Sequence, residues 1–397
     1  MSGIAKWIAA TAAVAAVGLF AAWATSPDPQ FNPASFEAQP LEMRLAPVDQ
    51  ALTLAQFRNP EGQVRTMVVI DIEGEAVTGI DLDQLGAART SDPFEALADA
   101  DLSPVFSGHL DDLKKSHLTV GELLPSGPGG NRHIGTGTNF PEHAEEANSS
   151  SVFQFPKFGP ASAARTEVRR DPGALLDYEV EVCVRFDREL TVPQDFDKAV
   201  KGFFLCGDFT NRSTLINLAD PDDLDSGRGF SDAKSGPDFF PTGPFLVIPN
   251  DWKTFVSNVR MMTSVNGSPR QDARGREMTL DFRELAAKAF ADMKDPRFLY
   301  GHDYVTLTGD GTIPSSSTLM SGTSEGTIFT QPTRGDIIEA IIAYVGQGGP
   351  LAGEDFLDVA RRTFIANERE AKHYLQPGDI VQHGSNCLGD IVVRVTE

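Results

Sequence analysis

Two glutamates, Glu179 and Glu181, interrupt a stretch from Leu175 to Phe186 that otherwise reads as a buried strand. Side chains alternate along a strand, so the two carboxylates share one face, while Tyr178, Val180, Val182 and Val184 take the other. Like charges held that close stay ionised only with something positive between them, most simply a divalent cation. The plainer alternative is a glutamate pair on the wet face of an antiparallel strand. Asp208, at the end of the apolar run that begins at Gly202, offers a third carboxylate. Three oxygen ligands from two strand ends suit Mg²⁺ or Mn²⁺, which keeps water or substrate on its open positions. Cys183 follows on the glutamate face, but a hard cation with three oxygen ligands has no use for a thiol.

His143 and Glu146 stand three residues apart. On a helical turn they share a face, and a carboxylate beside an imidazole fixes its tautomer and raises its basicity, as a water-activating base requires. A solvated His-x-x-Glu pair is the bland counterpart. Lys234 is an ordinary surface charge unless its position promotes it. The aromatic run Phe153 to Gly159 reads as a pocket lining. Two further motifs fail on physical grounds. Gly322 to Gly326 matches G-x-S-x-G, yet the residues after it are β-branched and end at Pro332, where a nucleophile elbow requires a helix. The acidic loop Asp220 to Gly227 places Leu224 where an EF-hand needs a ligand.

The elements that must position these residues follow from pattern and composition. At 397 residues with 41% hydrophobic content, the chain can bury a large core in one or two units. A net charge of −22 works against nucleic acid and anionic membrane surfaces. The three cysteines form no C-x-x-C pair and sit among apolar neighbours, which predicts buried free thiols. After Lys6 an uncharged run from Trp7 to Pro27 carries a small-residue site at Ala22 to Ala24, so residues 1–26 read as a signal peptide or a membrane anchor. Either places the body outside the cytoplasm, periplasmic or membrane-anchored; a buried helix of a cytoplasmic protein is the alternative. Residues 27–50, with five prolines, read as a linker. A hairpin around Gly74 marks a small β-rich N-terminal domain over 51–125. The catalytic body covers 130–397, with a core-facing helix over Thr279 to Met293, a helical insertion at about 333–374 and closing strands after Leu375.

Taken together, the blocks at Gly137 to Glu146, Asp177 to Glu181, Gly207 to Arg212, Ala233 to Ser235, Val265 to Asp272, Ser321 to Thr323 and Leu375 to Asp379 resemble the fumarylacetoacetate hydrolase superfamily in content and order. The resemblance implies an α+β, β-rich fold: a rolled mixed β-sheet catalytic domain with a small β-rich N-terminal domain, usually as a homodimer. It implies a metal site at Glu179, Glu181 and Asp208 and catalytic roles for His143, Glu146, Lys234 and Thr323. It also implies substrate contacts at Arg212, Gly322 and Gln271, with Mg²⁺ or Mn²⁺ as cofactor. The expected activity is metal-dependent hydrolysis of a carbon-carbon bond in a 1,3-diketone acid. Decarboxylation, hydration or tautomerisation of a 2-oxo acid on the same site is the alternative, and a non-catalytic exported binding protein the second. Gly207 and Ser213 depart from the residues often found in relatives, as does the long segment between Thr323 and Pro377.

Overall fold

The computed structural model describes residues 17–149, 151–220 and 222–397. Runs of β-branched and aromatic residues give strands along most of the chain. From Ala51 to Thr119 they are β1 (Ala51–Arg58), β2 (Val64–Glu73), β3 (Ala76–Asp81) and β4 (Lys115–Thr119). Next come β5 (Arg132–Gly137), β6 (Phe153–Phe158), β7 (Arg165–Arg169), β8 (Leu176–Asp177), β9 (Val180–Phe186), β10 (Lys201–Gly207), β11 (Thr210–Asn211) and β12 (Leu246–Pro249). The remainder are β13 (Arg260–Val265), β14 (Ser268–Arg274), β15 (Phe298–Tyr300), β16 (Asp303–Val305), β17 (Leu319–Met320), β18 (Ile380–Ser385) and β19 (Asp390–Thr396).

Ten of these strands form the main sheet, in the order β4-β3-β2-β1-β12-β10-β9-β17-β5-β6. A second sheet of five runs β14-β13-β18-β19-β7. Most pairs are antiparallel, but β17 runs parallel to β5 and β19 parallel to β7, so both sheets are mixed. The architecture is the β-rich α+β arrangement expected, and neither sheet closes into a barrel.

Residues 51–125, set apart in the sequence, form one wing of the main sheet. Ala51 to Leu54 pair with Leu246 to Pro249, and Leu54, Val68, Ile80 and Phe94 share one apolar cluster with Phe204, Leu246 and Met320. The helix Phe282–Asp292 buries Phe282, Leu285, Ala286 and Ala289, and a capping box between Asp281 and Glu284 starts it.

The cysteines correct an expectation. In the antiparallel pair β9–β10, Cys183 lies opposite Phe204 and Cys206 opposite Glu181, so the two thiols sit diagonally on one face. They form a disulfide with their Cα atoms 6.0 Å apart, and only Cys387 of the three is free. Strand register, which composition does not reveal, brought them together.

The chain divides into two units. The first joins residues up to Asn32 with Ile328–Tyr374; the second comprises Pro33–Thr327 and Leu375–Glu397. Within the first, residues 17–24 are helical, and the helices Arg334–Gly346 and Phe356–Ala371 form a hairpin. The Trp23 indole donates to Glu339, and Ser26 Oγ accepts from the Gly335 N–H at 2.9 Å. Among the described residues no helix is long and apolar enough to cross a membrane. Most of the segment read as a signal or anchor, residues 1–16, lies outside the described residues. In the second unit, the proline-rich stretch before Ala51 is irregular but tied down: Glu37 pairs with Arg274 at 2.8 Å, and its N–H donates to Asp272 at 2.7 Å.

Candidate active site

The alternation of β9 turns Glu181 inward, and the step between β8 and β9 carries Glu179. Asp208 follows β10, where its N–H donates to the Glu179 carbonyl at 2.9 Å. All three carboxylates are buried, Glu181 completely, and each has an oxygen within 4.8 Å of the others. Gly207 fits this corner because a Cβ there would meet Pro241 at 2.9 Å and the His383 ring at 3.1 Å.

Three cations hold the carboxylates. Lys234 Nζ donates to Glu179 Oε2, Asp208 Oδ2 and Thr210 Oγ1, each at 2.8 Å. Arg212 bonds Asp177 at 2.8 Å and Glu179 Oε1 at 2.7 Å. Lys157, which sequence reasoning passed over, is fully buried and donates to Asp208 Oδ1 at 2.7 Å and to the carbonyls of Lys234 and Phe239. Its signal was the inward alternation Phe153, Phe155, Lys157 along β6, read as aromatic lining alone.

The charges do not divide evenly. Burial works to raise the Glu179 pKa, but Lys234 and Arg212 bring it down to about 2. Glu181 goes the other way: burial, then the neighbouring Asp208 and Glu179, push it well above the usual carboxylate range. Its Oε2 accepts from the Gly322 N–H at 2.8 Å, while its Oε1 is buried with no partner. An orphaned carboxylate oxygen facing two further carboxylates fits a hard divalent cation.

His143 and Glu146 lie on the helix Pro141–Glu146 and are bonded, His143 Nδ1 to Glu146 Oε2, at 2.8 Å. The other Glu146 oxygen accepts from the Gly326 N–H at 2.9 Å, and the Gly326 carbonyl accepts from the Tyr178 hydroxyl at 2.9 Å. Gly326 must be glycine: its φ is 95°, and a Cβ would lie 2.0 Å from the Arg270 carbonyl. The step between β8 and β9 that carries Glu179 thus also fixes, through Tyr178, the loop that holds Glu146. His143 is itself among the charges acting on Glu179, after Lys234 and Arg212.

The remaining residues singled out in the sequence lie here, each held in hydrogen bonds within the protein. Gln271, expected to contact substrate, has a saturated amide: its oxygen accepts from Val180 N–H and Thr263, and its nitrogen donates to Thr323 Oγ1 and the Ser324 carbonyl. Thr323 spends its hydroxyl hydrogen on the Val180 carbonyl at 2.9 Å. The N–H of Gly322 and the guanidinium of Arg212 serve the carboxylates, and all three Lys234 hydrogens are taken. A buried, charge-dense centre leaves few free donors, because each buried carboxylate oxygen needs a partner.

Fold and site together define a β-rich α+β protein whose buried triple-carboxylate centre is accompanied by a hydrogen-bonded histidine–glutamate pair. Residues 132–396 match the model of the family described as fumarylacetoacetate (FAA) hydrolase C-terminal. The chain belongs to the fumarylacetoacetate hydrolase family. Uncharacterized proteins of Staphylococcus aureus strains USA300 and Mu50 are 27% identical over 235 residues, covering 51% of this chain and 73% of theirs. The fold is similar to that of a 2-hydroxyhepta-2,4-diene-1,7-dioate isomerase from Mycobacterium marinum (14% identity, TM-score 0.51, covering 87% of this chain and 98% of that one). It is also similar to a fumarylacetoacetate hydrolase from Exiguobacterium antarcticum (18% identity, TM-score 0.50, covering 87% and 99%).

Proposed function

We propose that the protein is a divalent-metal-dependent hydrolase that cleaves a carbon-carbon bond in a 1,3-diketone acid. The observation that carries this reading is the His143–Glu146 pair, a carboxylate-oriented imidazole suited to activating the water that hydrolysis consumes. Glu179, Glu181 and Asp208 would hold Mg²⁺ or Mn²⁺, which supplies Lewis acidity toward substrate oxygens. Glu146 bonds Nδ1 of His143, which leaves Nε2 as the nitrogen that takes a proton from water. The Gly326 N–H fixes Glu146 and so the plane of the ring. Lys234 acts through its charge on the oxyanion that develops, with no free N–H needed.

Product analysis by NMR, with an acylpyruvate and oxaloacetate as substrates and Mg²⁺ or Mn²⁺ present, tests the reading. Two carbon fragments from the acylpyruvate are expected. His143→Ala should lower that rate about 10²–10⁴-fold. Turnover of oxaloacetate alone, indifferent to His143→Ala, would favour a decarboxylase. Binding without turnover of either would favour a binding protein.

The body acts outside the cytoplasm, in the periplasm or anchored to a membrane, as a homodimer. The Cys183–Cys206 disulfide supports the location, since such bonds persist in oxidising compartments. Unreduced, denatured protein recovered from its own compartment is expected to react at one thiol of three. Reaction at all three would place the body in a reducing one.

A further inference from the structure

The first unit carries an apolar surface that the proposed chemistry does not use. From Ala340 to Gly353 the chain has no charged residue, and this stretch forms the tip of the helical hairpin. Ile342 is 60% exposed, Val345 65% and Leu351 98%; Ile341, Phe356 and Leu357 are exposed beside them. Gly348 and Gly349, at φ 106° and 55°, turn the chain so that Leu351 projects from the tip. Soluble monomers rarely leave contiguous apolar surface of this kind uncovered. Charged residues resume at Glu354 and Asp355, giving the tip a polar rim.

The same unit contains the described end of the chain's other apolar stretch. The uncharged run that starts at Trp7 enters the structure at Val17 as the helix of residues 17–24, with Val17 and Phe20 exposed. Trp23 of this helix is hydrogen-bonded to Glu339 on the first hairpin helix, next to the start of the uncharged tip. Two uncharged apolar segments in one unit, one continuing in sequence through the ten residues 7–16 that precede the described chain, fit one occupant: the apolar layer of a lipid bilayer. Tyr344, packed edge-on to Phe356 at 5.5 Å, is the kind of residue that sits at the boundary between headgroups and acyl chains.

We infer that the hairpin tip Ala340–Gly353 inserts shallowly into a bilayer as a second membrane contact beside the N-terminal segment. The lipid is zwitterionic, because a chain of net charge −22 is repelled by anionic headgroups. This inference is independent of the reaction catalysed.

The test uses the full chain with Leu351→Cys, a change at a nearly fully exposed position, labelled with an environment-sensitive fluorophore. A Cys387→Ser background removes the one free thiol, and the other two cysteines are bonded. Tyr304→Cys, also exposed and in the second unit, is the control. With phosphatidylcholine vesicles the label at 351 should shift to the blue and be quenched by brominated acyl chains, while the label at 304 does neither. Vesicles that carry the chain down on sedimentation without changing the 351 label would show that the N-terminal segment alone binds, and would overturn the inference. A blue shift at 351 that grows with protein concentration without vesicles would overturn it in favour of a second copy of the chain.

Discussion

Glu181→Gln is expected to abolish cation-dependent turnover and, at neutral pH, to make the metal-free protein harder to unfold. The two effects have one cause. Glu181 is the carboxylate left over when Lys157, Arg212 and Lys234 have paired with Asp177, Glu179 and Asp208. Its buried Oε1 has no partner, so either a proton or a cation must compensate it. Glutamine keeps the shape and the Gly322 contact but removes the charge, so the isolated site is relieved while the cation loses a ligand. Residues that merely orient a ligand cost roughly 10–100-fold in affinity or activity when changed, and removing a ligand should exceed that.

The pH dependence at Glu181 has the opposite sign from that at Glu179. A carboxyl whose folded pKa lies above its ordinary 4.5 binds its proton more tightly when folded. Its contribution is therefore full below 4.5 and is lost as pH rises through the raised value. Glu179, held at about 2, contributes above 4.5 and loses that contribution as the pH falls toward 2. Denaturant unfolding across this range should show metal-free wild type losing stability relative to Glu181→Gln as pH rises, with Mg²⁺ closing the gap. A variant that turns over at the wild-type rate, or a difference indifferent to pH, would refute the assignment of Glu181 as the orphan ligand.

The second large effect is expected at Lys157→Met. The side chain is fully buried and Asp208 is 1% exposed, so the substitution leaves Asp208 Oδ1 without its donor where water cannot reach it, with Lys234 still holding Oδ2. Breaking a buried pair from one side costs about 3–5 kcal/mol. Mg²⁺ should restore part of this loss, because it gives Asp208 another positive neighbour. A loss below about 1 kcal/mol, the worth of an exposed pair, would mean that the Lys157–Asp208 contact contributes little.

Much of this centre could be read from spacing. Alternation along Leu175 to Phe186 predicts that Glu179 and Glu181 share a face, although Glu179 falls in the step before β9, and a three-residue separation on a helix pairs His143 with Glu146; both are local periodicities. What escaped reading depends on distant parts of the chain. Lys157 meets Asp208 because β6 faces the loop after β10, and nothing within β6 announces that partner. The Cys183–Cys206 bond depends on the β9–β10 register. The joining of residues 51–54 to 246–249, which merges the N-terminal wing into the main sheet, is likewise non-local. Gln271 and Thr323 show a different limit: a motif can bring a residue to a site without revealing that its hydrogen bonds are already taken.

The two-residue strand β17 has a consequence for the timing of folding. It lies between β9 and β5, third from one end of the main sheet, and the loop that follows it gives Glu181 its N–H donor and holds Glu146. Strands β5 and β9 leave the ribosome well before residues 319–320 are made, so the β5–β6 pair stays unjoined to the rest of the sheet through most of synthesis. β18 and β19, which complete the second sheet, are made last of all. Sheets closed by distant segments form slowly. The carboxylate centre is therefore assembled only when nearly the whole chain is available, and a chain that is to cross a membrane unfolded would stay open until synthesis is almost finished.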